Sequence, residues 1–188
     1  KQETVWLSEN RQPEWKMELS DDFSKPELGL QWTFWKEYAP QALTFTEGEM
    51  LVKAKGRTPA DGRLLLVTAM DKCYETEVEV RLGNGNIGGL LLYYNEEAYA
   101  GVVSDGKNFM VYRGEKKPLK VVNLVGKNFR VKLLNQGNRL KMSVSADGKS
   151  WEVLAQNVDV ARLNHNVYKG FYALRPALLA AGKGKTGF

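Results

Sequence analysis

Three glutamates stand at alternate positions in the stretch CYETEVEVRL, residues 73–82. Side chains alternate between the two faces of a β-strand, so Glu75, Glu77 and Glu79 share one face and apolar residues occupy the other. Retaining glycosidases need a nucleophile and an acid/base about 5–5.5 Å apart, and one hypothesis gives these roles to Glu75 and Glu79. The alternative is a solvent-facing strand edge, and the pattern favours it because charged outward faces are typical of antiparallel strands.

Other catalytic arrangements lack the residues they need. His165 is the only histidine, so the sequence supports neither a multi-histidine metal site nor a histidine-assisted triad. Cys73 is the only cysteine, which rules out an internal disulfide and a thiolate metal cluster. The glycines of RLGNGNIGGL precede a β-type run, whereas a nucleotide-binding loop needs a helix there. No cofactor is expected on these grounds.

Asp21 and Asp22 begin a candidate calcium site. Carboxylates are suitable ligands for Ca²⁺, but the ion needs six to eight oxygens and two aspartates do not define such a set. The sequence therefore favours a capped turn, and a structural calcium ion at Asp22 is the alternative that it leaves open.

Aromatic side chains supply the other candidate chemistry, because rings can lie flat against the C–H face of a sugar. In WTFW, Trp32 and Phe34 point to one side of a strand and Trp35 to the other. We predict that Trp35 and Tyr38 are exposed rings and that Trp32 and Trp151 belong to the core. A sugar-binding domain could use these platforms: Trp35, Tyr38, Tyr94 and Tyr99.

The elements that would carry these residues are short β-type runs separated by turn residues, with almost no helical periodicity. Asp105-Gly106 and Asp147-Gly148 each predict a tight hairpin, since Asp-Gly tolerates the positive φ of such turns. The pattern predicts an all-β fold of two antiparallel sheets packed as a sandwich. The predicted strands include IGGLLLYYN, covered on both sides, then AYAGVVS, KNFMVYRG, LKVVNL, NFRVKLLNQ, RLKMSVSA, SWEVLAQ and VYKGFYALR.

Length and composition limit the remaining possibilities. The chain has 188 residues and a net charge of +5, and 43% of its residues are hydrophobic, which is ordinary for one globular domain. We expect residues 1–19 to be a linker or an N-terminal edge segment and residues 20–188 to form the domain. The apolar runs are too short to span a bilayer. The basic residues cluster only modestly, in GEKKPLK and GKGKTGF, without the interleaved aromatic residues or the arginine density of a nucleic-acid surface. We therefore expect neither a membrane nor a nucleic-acid partner.

The stretch SADGKSWEVLAQ, residues 145–156, is similar to the Ser-x-Asp-x-Gly-x-Thr-Trp box of sialidase propellers. The box requires a residue between its aspartate and glycine, but Asp147 and Gly148 are adjacent. The stretch also occurs once, whereas propellers repeat the box. It is better interpreted as a hairpin followed by a buried Trp151.

Four strings together resemble a known family. They are SDDFSKPELGLQWTFW, GGLLLYYNEEAYAGVV, KMSVSADGKSWEVL and YKGFYAL, in this order between residue 20 and about residue 174. They resemble the C-terminal lectin-like module of glycoside hydrolase family 43, the β-xylosidases and α-L-arabinofuranosidases. The resemblance implies a concanavalin A-like jelly roll.

The same resemblance implies a function. The catalytic carboxylates of that family lie on a five-bladed propeller, and a loop of the module adds an aromatic ring, typically phenylalanine, to the rim of the active site. The nearest position here is Tyr168. The expected role is therefore a noncatalytic accessory module that supports a propeller acting on plant-type oligosaccharides or polysaccharides, such as xylan or arabinan. The alternatives are a self-contained glycosidase using Glu75 and Glu79, or a stand-alone sugar-binding domain.

The chain starts at Lys1 without a signal segment, as a processed protein or a piece of a longer one would. A secreted or periplasmic location is favoured over a cytoplasmic one.

Overall fold

The computed structural model describes residues 19–123 and 126–188, and these residues form two seven-stranded antiparallel sheets packed face to face. The predicted all-β sandwich is confirmed. Residues 1–18, where a linker or edge segment is predicted, lie outside the described residues.

Sheet A has the strand order β1-β4-β13-β6-β7-β8-β9. Its strands are β1 Trp32–Phe34, β4 Arg63–Val67, β6 Ile87–Asn95, β7 Ala98–Ser104, β8 Phe109–Arg113, β9 Lys120–Val122 and β13 Arg175–Ala181.

Sheet B has the strand order β12-β11-β10-β5-β14-β3-β2. Its strands are β2 Leu43–Thr46, β3 Glu49–Lys53, β5 Cys73–Leu82, β10 Asn128–Gln136, β11 Arg139–Ser145, β12 Glu152–Asp159 and β14 Lys185–Gly187. One short helix, α1 His165–Tyr168, and one 3₁₀ turn, Pro40–Ala42, complete the regular structure of the described residues.

The main core lies between the sheets, where alternate residues of the strands meet. Leu90, Leu92 and Tyr94 of β6 face Val131 and Leu133 of β10 within one apolar cluster. The residues between them belong to a second cluster on the outer face of sheet A, which includes Leu91 and Tyr93. The continuous apolar run of β6 is therefore buried on both sides, as predicted.

Two features of the strands differ from the prediction. The stretch VYKGFYALR is not a strand, because its first residues end the helix α1 and the strand β13 begins only at Arg175. Strand β5, which carries Glu75 and Glu79, is not at an edge, since it pairs with β10 on one side and β14 on the other.

Buried Asn86 fixes the C-terminal strand to the turn before β6. Its amide Nδ2 donates to the Lys185 carbonyl over 2.9 Å, and its Oδ1 accepts from the Gly184 N–H over 3.0 Å. The side chain is only 1% exposed, so its loss would leave backbone groups unpaired away from water.

We therefore expect Asn86→Ala to lower the free energy of unfolding by about 3 kcal/mol, which urea denaturation would measure. The neighbouring Asn84 is exposed, and Asn84→Ala should cost less than about 0.5 kcal/mol. Equal losses in the two variants would contradict this role of Asn86.

Candidate functional site

The candidate site is built on residues 160–174, which connect β12 at the edge of sheet B to β13 in the middle of sheet A. We call this segment the crossing loop. It contains helix α1, whose N-cap Asn164 accepts a hydrogen bond from the Asn166 N–H over 2.9 Å.

Strand β6 and its neighbours hold the crossing loop in place. The Tyr94 hydroxyl is positioned to donate to the carbonyl of Lys169, at 3.0 Å, or of Gly170, at 2.6 Å. The Asn95 amide donates to the Tyr168 carbonyl over 3.2 Å, and the Tyr168 hydroxyl donates to the Gly114 carbonyl over 3.1 Å. These contacts tie the loop to β6 and to the residue after β8.

The backbone of the loop is strained between these contacts. Lys169 has φ 56° and ψ 175°, and Gly170 follows with φ 73°. Such a conformation is rare for a residue with a side chain and costs of order 1–3 kcal/mol. It persists because the surrounding hydrogen bonds determine it, and backbone strain of this kind is concentrated at functional sites.

The strained turn projects one ring into solvent. Phe171 is 95% exposed, and its ring stacks on His165 with centroids 5.5 Å apart and planes 25° apart. The next residue, Tyr172, is half-exposed and contacts Trp35 at 4.9 Å and Tyr94 at 5.8 Å between centroids. The loop therefore presents Phe171 outward and fixes Tyr172 against the domain.

A chain of aromatic rings supports this surface from below. Trp35 meets Tyr93 at 5.2 Å, Tyr93 stacks on Tyr99 at 5.7 Å, and Tyr99 meets Tyr112 at 5.1 Å. Burial raises the pKa of the Tyr93, Tyr99 and Tyr112 hydroxyls. Among the described residues, the Tyr93 hydroxyl finds no hydrogen-bond partner.

Charged groups surround Trp35. Its Nε1–H donates to Glu96 over 3.0 Å, and Lys36 forms an ion pair with the same carboxylate. Burial raises the pKa of Glu96, but the hydrogen bonds from Lys36 and Trp35 outweigh it and hold the pKa below its usual value. The Arg175 guanidinium lies 5.8 Å from the centre of the Trp35 ring, and burial lowers its pKa.

The structure brings four predicted aromatic residues together at this end of the sandwich: Trp35, Tyr94, Tyr99 and Tyr168. Tyr94 and Tyr99 are only 1% exposed, so the prediction that they could be open platforms is wrong. Trp35 is half-buried because its ring packs against Tyr93 and Tyr172, so the prediction that it is an exposed ring is wrong. Tyr168 is also half-buried. Tyr38 is an exposed ring, as predicted, with 79% of its surface accessible.

The sequence interpretation missed Phe171. It assigned the rim position to Tyr168, whose hydroxyl is bound to the Gly114 carbonyl, whereas Phe171 protrudes three residues later. The Lys-Gly pair before Phe171 is the local signal of a turn, but the positive φ of Lys169 has no sequence signature.

The glutamates of β5 are engaged in ion pairs on the outer face of sheet B. Arg130 pairs with Glu79 at 2.8 Å and with Glu77 at 3.3 Å, and Lys132 pairs with Glu75 at 3.2 Å and with Glu77 at 3.1 Å. Glu75 and Glu79 are four residues apart on an extended strand, roughly 13 Å between Cα atoms, compared with about 5–5.5 Å between the carboxyl groups of a retaining glycosidase. This geometry does not suit a nucleophile and an acid/base.

The aspartates near residue 21 cap turns and bind the neighbouring strand. Asp22 accepts from the Ser24 N–H over 3.0 Å, and hydrogen bonds from Ser24 lower its pKa. Asp21 accepts from the Trp32 Nε1–H over 2.9 Å. Within residues 19–123 and 126–188, no three His, Cys, Asp or Glu side chains gather to form a metal site. Calcium at Asp22 stays a prediction.

The other two tryptophans have different environments. Trp32 is half-buried and packs against the main core. Trp151 is also half-buried but lies under the Lys132 ammonium, whose Nζ is 4.4 Å from the ring centroid, so the prediction of a core position for Trp151 is wrong.

Comparison with protein families gives a match over nearly all of the described chain. The model of the beta xylosidase C-terminal concanavalin A-like domain matches residues 20–187. None of the curated protein sequences matches. The part of the chain that the structure describes contains no helix long and apolar enough to cross a membrane.

Solved structures share the fold at low sequence identity. The GH43 BlXynB protein from Bacillus licheniformis superposes with a TM-score of 0.76 at 16% identity, over 92% of this chain and 38% of that one. Xylan beta-1,4-xylosidase from Bacillus halodurans gives 0.72 at 16%, over 92% and 38%. An uncharacterized protein from Mycobacterium paratuberculosis gives 0.54 at 13%, over 89% and 95%. The chain thus spans a little over a third of the two Bacillus proteins.

The anchoring of the crossing loop leads to a first prediction about the candidate site. Tyr94→Phe removes the hydroxyl at the strained turn, so we expect the free energy of unfolding to fall by about 1 kcal/mol and trypsin to cleave faster after Lys169. Tyr99→Phe, at a buried ring that does not contact the loop by a hydrogen bond, is the control. Mass spectrometry of the fragments measures the cleavage, and an unchanged rate in Tyr94→Phe would refute the anchor.

The buried tyrosines lead to a second prediction, on pH. Above about pH 10 the unfolded chain releases tyrosine protons that the folded state keeps, because the folded pKa values are raised. The folded state then binds more protons, so stability should fall as the pH rises above about 10. Urea unfolding at pH 8 and 10.5 tests this, and Tyr99→Phe should reduce the fall. Tyr38→Phe, at an exposed ring, should leave it unchanged, and a fall of equal size in all three proteins would contradict the assignment.

Proposed function

The chain belongs to the beta xylosidase C-terminal concanavalin A-like domain family, and on that premise we propose that it is a noncatalytic accessory module of a family 43 glycosidase. In this proposal the module packs beside a propeller domain and its crossing loop forms part of the wall of the sugar pocket. The catalytic carboxylates belong to the propeller.

The lengths of the relatives support an accessory role. The chain corresponds to 38% of each Bacillus protein, so most of each relative lies outside the matched region. The names of those relatives refer to family 43 and to xylan beta-1,4-xylosidase. Pentose-containing chains such as xylan or arabinan are therefore the substrate class that we propose for the parent enzyme.

One observation carries the proposal: the almost fully exposed Phe171 on a strained and anchored loop. Burial of such an apolar ring against a partner is favourable by about 25 cal/mol for each Å² of apolar surface that is removed from water. Against a sugar in the neighbouring pocket, the ring would cover a C–H face and exclude water from one side.

The surroundings of Phe171 suit a contact between domains. Tyr172 and Val167, which are each partly exposed, lie on the same loop and add exposed apolar surface to it. Because Tyr94 and Asn95 fix the backbone from β6, the ring would be held close to its working position before the partner or the sugar binds.

The ring's role can be tested in the parent enzyme with its propeller attached. Phe171→Ala should raise KM for an aryl xyloside or xylobiose roughly tenfold, which corresponds to about 1.4 kcal/mol of lost contact, with a smaller change in kcat. Tyr38→Ala removes an equally exposed ring that is not on the crossing loop and should leave both constants unchanged. Unaltered kinetics in Phe171→Ala would overturn the rim assignment.

The assignment of chemistry to the propeller has its own test. The chain without the propeller should not turn over aryl xylosides or arabinosides, and Glu79→Gln should leave the parent enzyme's kcat unchanged because Glu79 is paired with Arg130. Turnover by the isolated chain that Glu79→Gln abolishes would overthrow the proposal in favour of a self-contained glycosidase.

A further inference from the structure

A pocket lies at the opposite end of the sandwich from the crossing loop. The loop is anchored where β6 turns into β7, and this pocket opens where β7 turns into β8. Strand β7 separates the two ends by roughly 20 Å. We call it the distal pocket; its volume is about 500 Å³, and its lining includes Phe109, Asn128, Phe129, Val144, Ser145, Ser150, Trp151 and Glu152.

The floor of the distal pocket is apolar and closely packed. Phe109 and Phe129 meet edge to face with ring centroids 4.9 Å apart, and both belong to the main core together with Val144. A floor of this kind does not change shape easily, because the residues beneath it are close-packed.

The rim on one side is the turn of the SADGKSWE stretch, which its own hydrogen bonds hold rigid. The Asp147 Oδ1 accepts from the N–H groups of Lys149 and Ser150, each over 2.8 Å. The Ser145 hydroxyl donates to the same oxygen over 3.0 Å and accepts from the Gly148 N–H over 2.9 Å. The rim is therefore formed before any ligand arrives.

Trp151 forms one wall, and its position is also fixed. The Lys132 ammonium lies 4.4 Å from the ring centroid and is itself held by Glu77 at 3.1 Å and Glu75 at 3.2 Å. This cation–π contact keeps the half-buried indole at the pocket instead of in the core. It also explains what Glu75 and Glu77 do: they position the lysine.

Four polar groups around the distal pocket bind no other group of the described residues. Within the described residues, no hydrogen bond or ion pair involves the Asn128 amide, the Ser150 hydroxyl, the Glu152 carboxylate or the Trp151 N–H. An amide, a hydroxyl and a carboxylate around an aromatic wall can donate to and accept from sugar hydroxyls while the ring contacts a C–H face.

The pocket is long enough for more than one sugar unit. A smaller depression of about 190 Å³ shares Asn128, Phe129 and Ala146 with it and continues past Glu79, Arg130 and Asp147. The cation of this extension is paired with Glu79, so it offers no free positive charge for a phosphate or a uronate. Charge therefore favours a neutral chain.

From these contacts we propose that the distal pocket is a second carbohydrate-binding site, which takes two or three units of a neutral oligosaccharide against Trp151 and Asn128. The identity of the sugar as a xylo- or arabino-oligosaccharide rests on the proposed function. A site at this end would hold the module on a polysaccharide while the crossing loop, at the other end, faces the propeller.

The 188-residue chain can be titrated with xylohexaose, arabinohexaose and cellohexaose by calorimetry and indole fluorescence. At least one probe should bind saturably, and Trp151→Ala should weaken that binding at least about tenfold. Because Trp151→Ala removes a packed ring, Asn128→Ala, at an exposed position, serves as a second variant and should also weaken binding several-fold. Thermal unfolding of each variant verifies that it is folded.

The matched controls are Tyr38→Ala and Phe171→Ala, two exposed rings outside the distal pocket, which should bind the probe as tightly as the parent chain. No saturable binding of any probe, or binding that persists in both Trp151→Ala and Asn128→Ala, would overturn the proposal. The kinetic test of Phe171 in the parent enzyme is independent of this titration, so failure of the rim role and failure of the distal site can be told apart.

Discussion

Both sheets depend on the same short C-terminal segment. Strand β13 lies between β4 and β6 in the middle of sheet A, and β14 lies between β5 and β3 in the middle of sheet B. Residues 175–188 therefore complete both layers, and each layer would separate into two parts without them. Such pairings join residues that are far apart in sequence. The entropic cost of closing the long loops between them must therefore be offset by the apolar surface that the pairings bury. Asn86 strengthens the closure, since it links the turn before β6 to the segment that leads into β14.

The position of the crossing loop follows from this closure. Because β13 pairs with β6 along its whole length, the entry of the chain at Arg175 is fixed opposite Tyr93, next to the residues that bind the loop. The strain at Lys169, of order 1–3 kcal/mol, is then offset by hydrogen bonds worth about 1 kcal/mol each. A rigid sheet, and not the loop's own sequence, thus determines where Phe171 points.

The features predicted best from the sequence are the bounds of strands, which depend on a few neighbouring residues. The bounds of β5, β6, β7 and β10 agree with the structure because alternation and turn residues are properties of short windows. Strand β13 was missed because Pro176 and its alanines have low strand propensity, and β14 because it lies among glycines; both form through distant pairing partners. Tyr94 was misassigned although the apolar run of β6 already implied burial on both faces, and Tyr99 was misassigned on the neighbouring strand β7. The exposure of Phe171 and the removal of Trp151 from the core depend on a positive φ and on a lysine of another strand, which no local pattern contains.

The charged face of β5 bears on where catalysis can and cannot take place in this fold. Three carboxylates on one strand suggest catalysis when the strand is considered alone. In the sheet, β10 brings Arg130 and Lys132 into register beside them, and paired charges on an exposed face lose the freedom and spacing that acid/base work requires. The same pairing fixes Lys132 over Trp151, so the carboxylates act through the lysine on the shape of a pocket. In the distal site that we propose, residues that looked like a reaction centre would support recognition, and the chemistry of the proposed parent enzyme would belong to its propeller.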